Sequence, residues 1–303
     1  MEVWVVGHKA PDTDSICSAI AYAEFCNLLK KYEAIPARAG EINKETKFVL
    51  EKFGFEVPEL LEDCSGKNLI LVDHNEFSQA VNGIEKANIL GVIDHHKFNF
   101  SYPKPIYILC EPLGSTATII AKKFFSKSVE VSEDIAGILL SAILSDTVIF
   151  KSSTTTEEDI RIAKKLNEVL GIDMVEFGIE MKKVGSEIKD LSNREIILKD
   201  FKEYEFKGKK VGIGQVELVD ISDLKSKRAE LLKEMEKITE ERGYYGLVFM
   251  ITDIIKEGSL MLCLGCEKEF EKAFEKKLED GSVWLPNVMS RKKDVVPKLM
   301  EAF

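Results

Sequence analysis

Several features that mark other protein classes are missing from this chain of 303 residues. It contains neither a GxGxxG nor a GxxxxGK[ST] sequence, so nucleotide binding by those glycine-rich loops is not predicted. No apolar run approaches the ~20 residues that a transmembrane helix needs. The first residues, Met1–Gly7, have neither a basic leader nor a long apolar stretch, so we expect no signal peptide. A cytoplasmic protein without a membrane partner is therefore expected.

Basic residues are also fewer than acidic residues. The chain has 42 basic and 52 acidic residues, a formal net charge of −10. The excess lies in residues 1–191, with 21 basic and 30 acidic residues, whereas residues 192–303 have 21 and 22. A general nucleic-acid binder needs a positive field, so we expect no nucleic-acid partner. The acidic first part suits divalent cations better than phosphates.

Short apolar runs alternate with helical patterns in the first half of the chain. The runs Val3–Val6, Asn68–Val72 and Ile89–Ile93 are typical of parallel strands that are covered by helices on both faces. Helical stripes lie between and after them, for example Ile16, Ala19, Ile20 and Ala23. The pattern predicts an α/β fold with a doubly wound parallel sheet in the N-terminal domain.

The pattern changes beyond about residue 185. A polar stretch predicts a linker, placed at residues 188–191, between an N-terminal domain of residues 1–187 and a C-terminal domain of residues 192–303. In the second domain the sequence predicts a hairpin around Lys207–Lys209 and one long amphipathic helix that carries Leu224, Leu231, Met235 and Ile238. Two further strands and a helix near 267–277 complete a smaller α+β domain.

Histidine is scarce, and all four histidines lie in the first hundred residues. Each one follows a predicted strand or lies near its end, with aspartates close by in sequence. The residues concerned are His8 with Asp12 and Asp14, Asp73 with His74, and Asp94 with His95 and His96; Ser145-Asp146 forms a further segment. The carboxyl ends of parallel strands lie at one edge of a sheet, so we expect one wall of carboxylates and imidazoles.

Such a wall has the chemistry of a two-metal site. Oxygen and imidazole ligands suit manganese, cobalt or zinc. Two ions about 3.5–4 Å apart can share a water, lower its pKa and hold both ends of an in-line phosphoryl displacement. Without cations, the carboxylates would repel one another and some would take up protons. For single residues the alternatives are helix capping by Asp12 or Asp14 and solvated loop positions for His95 or His96.

Three further motifs leave alternatives open. Ser290-Arg291-Lys292-Lys293 begins the last predicted helix and is either a phosphate-binding group or a solvated charge run. Gly114–Thr118 opens a helix and is either an anion site or an ordinary N-cap. Cys263 and Cys266 have CxxC spacing but no second ligand pair, so the six cysteines are expected to be reduced thiols, mostly buried.

The ordered set HxxxDxD, VDHN, DHH and SD, followed far downstream by SRKK, resembles the family II inorganic pyrophosphatases of the DHH phosphoesterase superfamily. The resemblance extends from His8 to Lys292. It implies hydrolysis of pyrophosphate to two phosphates by a water or hydroxide that bridges two divalent metals, Mn²⁺ or Co²⁺, in each subunit. It also implies additional Mg²⁺ or Mn²⁺ bound with the substrate, and a homodimer formed through the first domain. The chain has no room for a CBS insert, so no adenine-nucleotide regulation is expected.

The resemblance also implies roles for individual residues. One metal would be held by His8, Asp12, Asp73 and Asp146, and the other by Asp14, Asp73, His95 and Asp146. Asp73 and Asp146 would thus bridge the two ions, and Asp94 would support the site from behind the ligands. The catalytic residue His96 would face the substrate and donate a hydrogen bond or proton to it. Lys202, Arg291 and Lys292 would bind the phosphates from the second domain, which closes over the first.

Other functions remain as alternatives. A DHH phosphodiesterase or exonuclease acting on short oligonucleotides or cyclic dinucleotides would share the metal wall. It usually has a GGGH-type motif, and no histidine follows His96 here. An exopolyphosphatase would act on longer polyphosphates. A non-catalytic metal-binding protein would not need open coordination sites beside a movable basic domain.

Overall fold

A computed structural model describes residues 1–185, 188 and 191–303. The chain divides into two compact units, Met1–Gly185 and Ser186–Phe303. The predicted linker, residues 188–191, includes Lys189 and Asp190, which lie outside the described residues. The predicted boundaries at residues 187 and 192 therefore stay predictions.

The first unit alternates strands and helices. Its strands are β1 (Glu2–Val6), β2 (Glu33–Arg38), β3 (Glu59–Leu60), β4 (Asn68–Val72), β5 (Asn88–Asp94) and β6 (Tyr107–Cys110), and its helices are α1 (Thr13–Leu28), α2 (Lys44–Lys52), α3 (Thr116–Ser126), α4 (Glu133–Asp146), α5 (Glu157–Leu170) and α6 (Met174–Gly185). The strands form one sheet in the order β3-β2-β1-β4-β5-β6, and all neighbours are parallel. The predicted doubly wound α/β fold is confirmed. The strand order reverses between β1 and β4, which is where ligands collect in sheets of this kind.

The central strands of this sheet are apolar on both faces, as predicted. In β1, Val3 and Val5 pack into one buried cluster, and Trp4 and Val6 pack into another on the opposite face. In β4, Ile70 and Val72 belong to the first cluster and Leu69 and Leu71 to the second. Side chains alternate between the faces of a strand, so both faces of the sheet are covered.

The second unit is built on a smaller mixed sheet. Its strands are β7 (Asp200–Phe206), β8 (Lys209–Leu218), β9 (Gly246–Asp253), β10 (Gly258–Leu264) and β11 (Ser282–Pro286), and its helices are α7 (Asn193–Leu198), α8 (Ser222–Ser226), α9 (Arg228–Arg242), α10 (Glu267–Phe274) and α11 (Val296–Ala302). The sheet order is β11-β10-β9-β8-β7, in which only β8 and β9 pair in parallel. The predicted smaller α+β architecture is confirmed.

Two local predictions in this unit have different outcomes. The hairpin is present, and its turn residues Lys207 and Gly208 both have positive φ angles, 48° and 80°. The prediction of a single long helix is wrong, because the backbone leaves helical geometry at Lys227, where ψ is 10°, between α8 and α9. Leu224 therefore lies on a short helix of its own.

None of the helices in the described part of the chain combines the length and the apolar character needed to cross a lipid bilayer. All six cysteines are free thiols, and Cys110 is the exposed one. The sulfur atoms of Cys263 and Cys266 lie 3.6 Å apart in the core of the second unit.

Candidate metal centre

The carboxyl ends of three neighbouring strands bring most of the predicted site residues together. His8 follows β1 after one glycine, Asp73 directly follows β4, and Asp94 is the last residue of β5, before His95 and His96. β4 pairs with β1 on one side and with β5 on the other. The three strand ends therefore meet at the point where the sheet order reverses.

Asp12 performs two tasks at the start of α1. It is the N-cap of this helix, and its Oδ1 accepts a hydrogen bond of 2.9 Å from the backbone N–H of Ser15. Its other oxygen, Oδ2, lies 3.7 Å from Nε2 of His8. The capping alternative is therefore correct for one oxygen of Asp12 and leaves the second oxygen facing the site.

Asp14 points toward the start of α3 instead. Its Oδ2 accepts a hydrogen bond of 2.6 Å from the backbone N–H of Thr116, and its Oδ1 accepts bonds from the N–H of Ala117 and the hydroxyl of Ser115 at 3.0 and 2.9 Å. Ser115 is also the N-cap of α3. A helix N-terminus favours negative charge. The motif Gly114–Thr118 is therefore both an N-cap and an anion site, and the anion is the Asp14 carboxylate.

Asp73 lies at the centre of the cluster in a strained backbone conformation. Its φ angle is 61°, in the left-handed region, and the residue is 1% exposed. Such a conformation in a non-glycine residue costs about 1–3 kcal/mol and is found mainly where function requires it. Oδ1 accepts a hydrogen bond of 3.0 Å from the hydroxyl of Thr116 and lies 3.4 Å from Nε2 of His95, whereas Oδ2 lies 3.4 Å from Nε2 of His8. The two oxygens therefore face two different histidines.

Asp146 enters the site from the C-terminal end of α4. Its Oδ2 lies 3.6 Å from Nε2 of His95. The next turn is unusual because Val148, Ile149 and Phe150 all have positive φ angles, of 50°, 55° and 64°. Left-handed backbone is unfavourable for β-branched residues, so this turn is held by its surroundings.

The potential ligand atoms form two main groups that share Asp73. One group contains His8, Asp12 and Asp73, and the other contains Asp14, Asp73, His95 and Asp146; within each group the atoms lie within 4.8 Å of one another. A further overlapping group adds His96 to Asp73 and His95. The structure thus brings all six predicted ligand residues together. It places Asp146 in one main group only, so a bridging role for Asp146 stays a prediction.

Two buried atoms in this cluster indicate that it is built for cations. Oδ2 of Asp73 and Nε2 of His95 have no hydrogen-bond partner among the described residues. A buried polar atom without a partner costs free energy, and a metal ion would remove that cost. Nδ1 of His95 is held by the carbonyl of Leu113 at 2.9 Å, an arrangement typical of metal-ligating histidines. The donor set therefore fits divalent ions such as Mn²⁺.

The pKa values show the charge conflict in the cluster. Burial favours the neutral imidazole, but nearby carboxylates outweigh burial and raise the pKa of His8 to about 10 and that of His95 to about 9. Burial and the Asp73 charge raise the pKa of Asp14 to about 7. Burial and three neighbouring aspartates raise the pKa of Asp146 well above its ordinary value. Without added positive charge, the carboxylates do not all ionise easily.

Asp94 organises the turn after β5. Its Oδ1 accepts hydrogen bonds from the backbone N–H groups of His95 and His96 and, at 3.0 Å, from Nδ1 of the His96 ring. Its Oδ2 accepts a bond of 2.6 Å from the amide of Asn75. The hydrogen bond from His96 to Asp94 raises the pKa of His96, against the effect of burial. The His96 side chain is 55% exposed, so its ring is accessible while Asp94 fixes its orientation.

The predicted phosphate-binding residues lie in the second unit. Lys202 is exposed on β7, and Lys292 is exposed in the turn that precedes α11. Arg291 is buried, and its guanidinium donates to the carboxylate and the carbonyl of Asp200 at 2.8 and 2.6 Å. Asp200 and Lys202 are two residues apart on one strand, so they share a face of β7. Arg291 therefore packs against the strand that carries Lys202.

Some residues around the site were not predicted. Asn75 orients Asp94 and lies in the VDHN segment, and Thr116 orients Asp73 and lies in the GSTAT segment. In the sequence, the only indication of a role for either residue was its position within these segments. His74 is buried, with Nδ1 2.9 Å from the carbonyl of Val72, and belongs to none of the ligand groups found among the described residues.

Two family models match the chain. The N-terminal domain of the DHH family matches residues 2–143, and the DHHA2 domain matches residues 179–302. The first match contains His8, Asp12, Asp14, Asp73 and His95, and the second contains Lys202, Arg291 and Lys292.

Relatives match over the whole chain. The manganese-dependent inorganic pyrophosphatase of Methanocaldococcus jannaschii is 50% identical, with 99% of each chain covered. That of Bacillus subtilis is 43% identical, with 99% of this chain and 98% of the relative covered. A crystal structure from Methanococcus jannaschii, provisionally named a family II inorganic pyrophosphatase, is 49% identical and superimposes with a TM-score of 0.72, with 99% of each chain covered. The chain therefore belongs to the family II, manganese-dependent inorganic pyrophosphatases, whose DHH and DHHA2 domains it carries in that order.

Proposed function

We propose that this chain hydrolyses inorganic pyrophosphate to two phosphates in a manganese-dependent reaction. Its full-length relatives carry that activity in their names. The observation that carries the proposal is the position of Asp73, whose two oxygens face His8 and His95 and which belongs to both main ligand groups. A shared carboxylate of this kind suits two neighbouring ions rather than two independent sites.

The proposed manganese centre holds two ions in each subunit. His8, Asp12 and Asp73 would hold one ion, Asp14, Asp73 and His95 would hold the other, and Asp146 would serve both. Bound ions of this kind lower the pKa of a shared water or hydroxide and neutralise phosphate charge. The chain's own contribution is rigid placement, because hydrogen bonds from α3 fix Asp14, and Thr116 fixes Asp73. Co²⁺ is the alternative metal, and further Mg²⁺ or Mn²⁺ accompanies the substrate.

His96 is the proposed catalytic residue that contacts the substrate. Its Nδ1 donates to Asp94, so the ring presents Nε2 to a phosphate oxygen. In this proposal Nε2 of His96 donates a hydrogen bond or proton to the substrate. Asp94 acts through His96 and through the backbone N–H groups that it accepts from, and it binds no ion itself.

The proposed substrate-binding residues of the second unit are Lys202, Arg291 and Lys292. Arginine offers a planar fork to phosphate oxygens and lysine a point charge. Asp200 occupies part of the Arg291 fork, so this carboxylate sets the direction of the guanidinium. In this proposal residues 1–187 form the metal-binding domain and residues 192–303 the substrate-binding domain.

The proposed assembly is a homodimer formed through the first domain, in the cytoplasm. β6 is an edge strand of the parallel sheet, and its Tyr107 and Ile108 are 44% and 45% exposed. An apolar edge strand with unpaired backbone groups is a typical surface for association. Sedimentation of the purified chain tests the dimer, and a monomer at micromolar concentration would contradict it.

Substrate profiling tests the activity. The metal-free protein is loaded with Mn²⁺ and offered pyrophosphate, tripolyphosphate and a dinucleotide, with phosphate release as the readout. We expect rapid release from pyrophosphate, and none from an Asp73→Asn variant assayed in parallel. No release from pyrophosphate with either Mn²⁺ or Co²⁺ would overturn the proposal. A preference for tripolyphosphate would indicate an exopolyphosphatase, and cleavage of the dinucleotide would indicate a phosphodiesterase.

A further inference from the structure

Besides Asp94, a second buried carboxylate lies next to the metal centre but outside the ligand groups. Glu45, in the first turn of α2, is 7% exposed. Its Oε1 accepts a hydrogen bond of 2.8 Å from the hydroxyl of Thr13 and a second bond from the hydroxyl of Ser145. Its Oε2 lies 3.1 Å from the ammonium of Lys182 in α6. Lys182 also donates to the hydroxyl of Ser145 at 3.1 Å.

The two hydroxyl partners of Glu45 are the chain neighbours of three proposed ligands. Thr13 lies between Asp12 and Asp14, and Ser145 directly precedes Asp146. Because Asp12 belongs to one main ligand group and the other two aspartates to the second, Glu45 contacts backbone segments that serve both groups. These segments come from the start of α1 and the end of α4, which are 132 positions apart in sequence. Their spacing is set by tertiary packing, in which α1 lies directly against α4.

We propose that Glu45, paired with Lys182, is a positioning residue that sets the distance between the start of α1 and the end of α4, and thereby the geometry of both manganese ions. This inference rests on the proposed function, since it assumes that those ions bind. Residues that orient metal ligands from behind typically change metal affinity about 10–100-fold when they are substituted. The network is suited to this task because each hydroxyl donates to one acceptor and the charged pair is shielded from water.

The ion pair has an exposed counterpart that serves as a matched control. Lys52 and Glu180 also join α2 to α6, with 3.3 Å between Nζ and Oε2, but their side chains are 38% and 53% exposed. Among the described residues, neither Lys52 nor Glu180 forms a hydrogen bond or ion pair with the segments that carry the aspartates. If the pairs only joined α2 to α6, either substitution would weaken that link, whereas of the two carboxylates only Glu45 contacts the segments that carry Asp12, Asp14 and Asp146.

The experiment measures Mn²⁺ binding to metal-free protein by isothermal titration calorimetry. Glu45→Gln keeps the shape and one acceptor oxygen but removes the charge. We expect it to weaken Mn²⁺ binding at both sites about 10–100-fold, and Glu180→Gln to leave both affinities unchanged. Glu45→Asp, which keeps the charge on a shorter side chain, should recover part of the loss. Wild-type affinity at both sites in Glu45→Gln would overturn the inference, whatever happens to its melting temperature.

A second variant covers the case in which Glu45→Gln fails to fold. Ser145→Ala removes only the link to α4, so we expect it to weaken Mn²⁺ binding at both sites, because the proposed ligand Asp146 serves both. Equal, wild-type affinities in Ser145→Ala would also overturn the inference. If the unchanged chain binds two Mn²⁺ ions but does not hydrolyse pyrophosphate, the proposed activity fails and the role of Glu45 is still decided by affinity. If the unchanged chain binds no Mn²⁺, both fail together.

Discussion

Manganese should stabilise the first unit strongly, and Asp73 should control most of the effect. A ligand at 100 times its dissociation constant stabilises a folded protein by about 2.7 kcal/mol per site, so two sites give about 5 kcal/mol. For a unit of about this size each kcal/mol raises Tm by roughly 2–4 °C. Mn²⁺ at that concentration should therefore raise the Tm of the Met1–Gly185 unit by about 10–20 °C.

The size of the effect in variants follows from which ligand group each residue serves. Asp73 belongs to both groups, so Asp73→Asn should weaken both sites. If each affinity falls about 100-fold, about 0.8 kcal/mol of stabilisation and a shift of about 2–3 °C remain. Asp12 belongs to one group only, so Asp12→Asn should retain about half of the wild-type shift.

Differential scanning calorimetry of chelator-treated protein, with and without Mn²⁺, measures these shifts. Trp4 lies in the first unit and Trp284 in the second, so variants that lack one tryptophan allow fluorescence to assign the transition to a unit. A wild-type shift in Asp73→Asn would refute the assignment of a shared carboxylate. An equal loss in Asp12→Asn and Asp73→Asn would refute the division into two groups.

Three further predictions concern single residues. Asp146→Ala should lose bound Mn²⁺ together with activity, and retention of full metal stoichiometry, measured by elemental analysis, would contradict its role as a ligand. Lys292→Ala should raise KM for pyrophosphate about 10-fold or more with little change in Mn²⁺ affinity, and unchanged steady-state kinetics would remove this lysine from the substrate site. Burial raises the pKa of Glu45, but Lys182 and the hydroxyl donors lower it more, so the pKa lies below its ordinary value. The ionised Glu45 side chain therefore stabilises the fold above pH ~4.5, and this stabilisation is lost as the pH falls through the folded-state pKa. Chemical denaturation of metal-free protein between pH 3 and 7 should therefore show a weaker acid dependence for Glu45→Gln than for the unchanged chain, and identical pH profiles would contradict this origin.

The sequence predicted the strands that matter most for the site and missed others for physical reasons. β1, β4 and β5 are apolar on both faces, so their runs stand out from the surrounding sequence. β2 contains Pro36, which argues against a strand in the interior of a sheet. β6 lies at the edge with Tyr107 and Ile108 exposed, so it lacks a buried pattern on both faces.

The site shows a similar division. The ligand residues could be predicted because each lies beside a strand end or helix end, and because parallel strands bring those ends to one edge. The residues that hold the ligands could not, since Thr116 meets Asp73 and Glu45 meets Ser145 only after the helices pack. The pairing of Arg291 with Asp200 across 91 positions is of the same kind. Contacts between distant segments leave no periodic trace in a single sequence.

In the proposed function, one carboxylate, Asp73, serves two metal ions. The most direct measurement is a crystal structure of the chain grown with Mn²⁺, with data collected at the manganese absorption edge so that the anomalous signal locates each ion. We predict two manganese peaks in each chain, about 3.5–4 Å apart. The carboxylate of Asp73 should contact both ions, either through one shared oxygen or through one oxygen for each ion. A single peak, or two peaks that share no ligand, would rule out the shared role of Asp73.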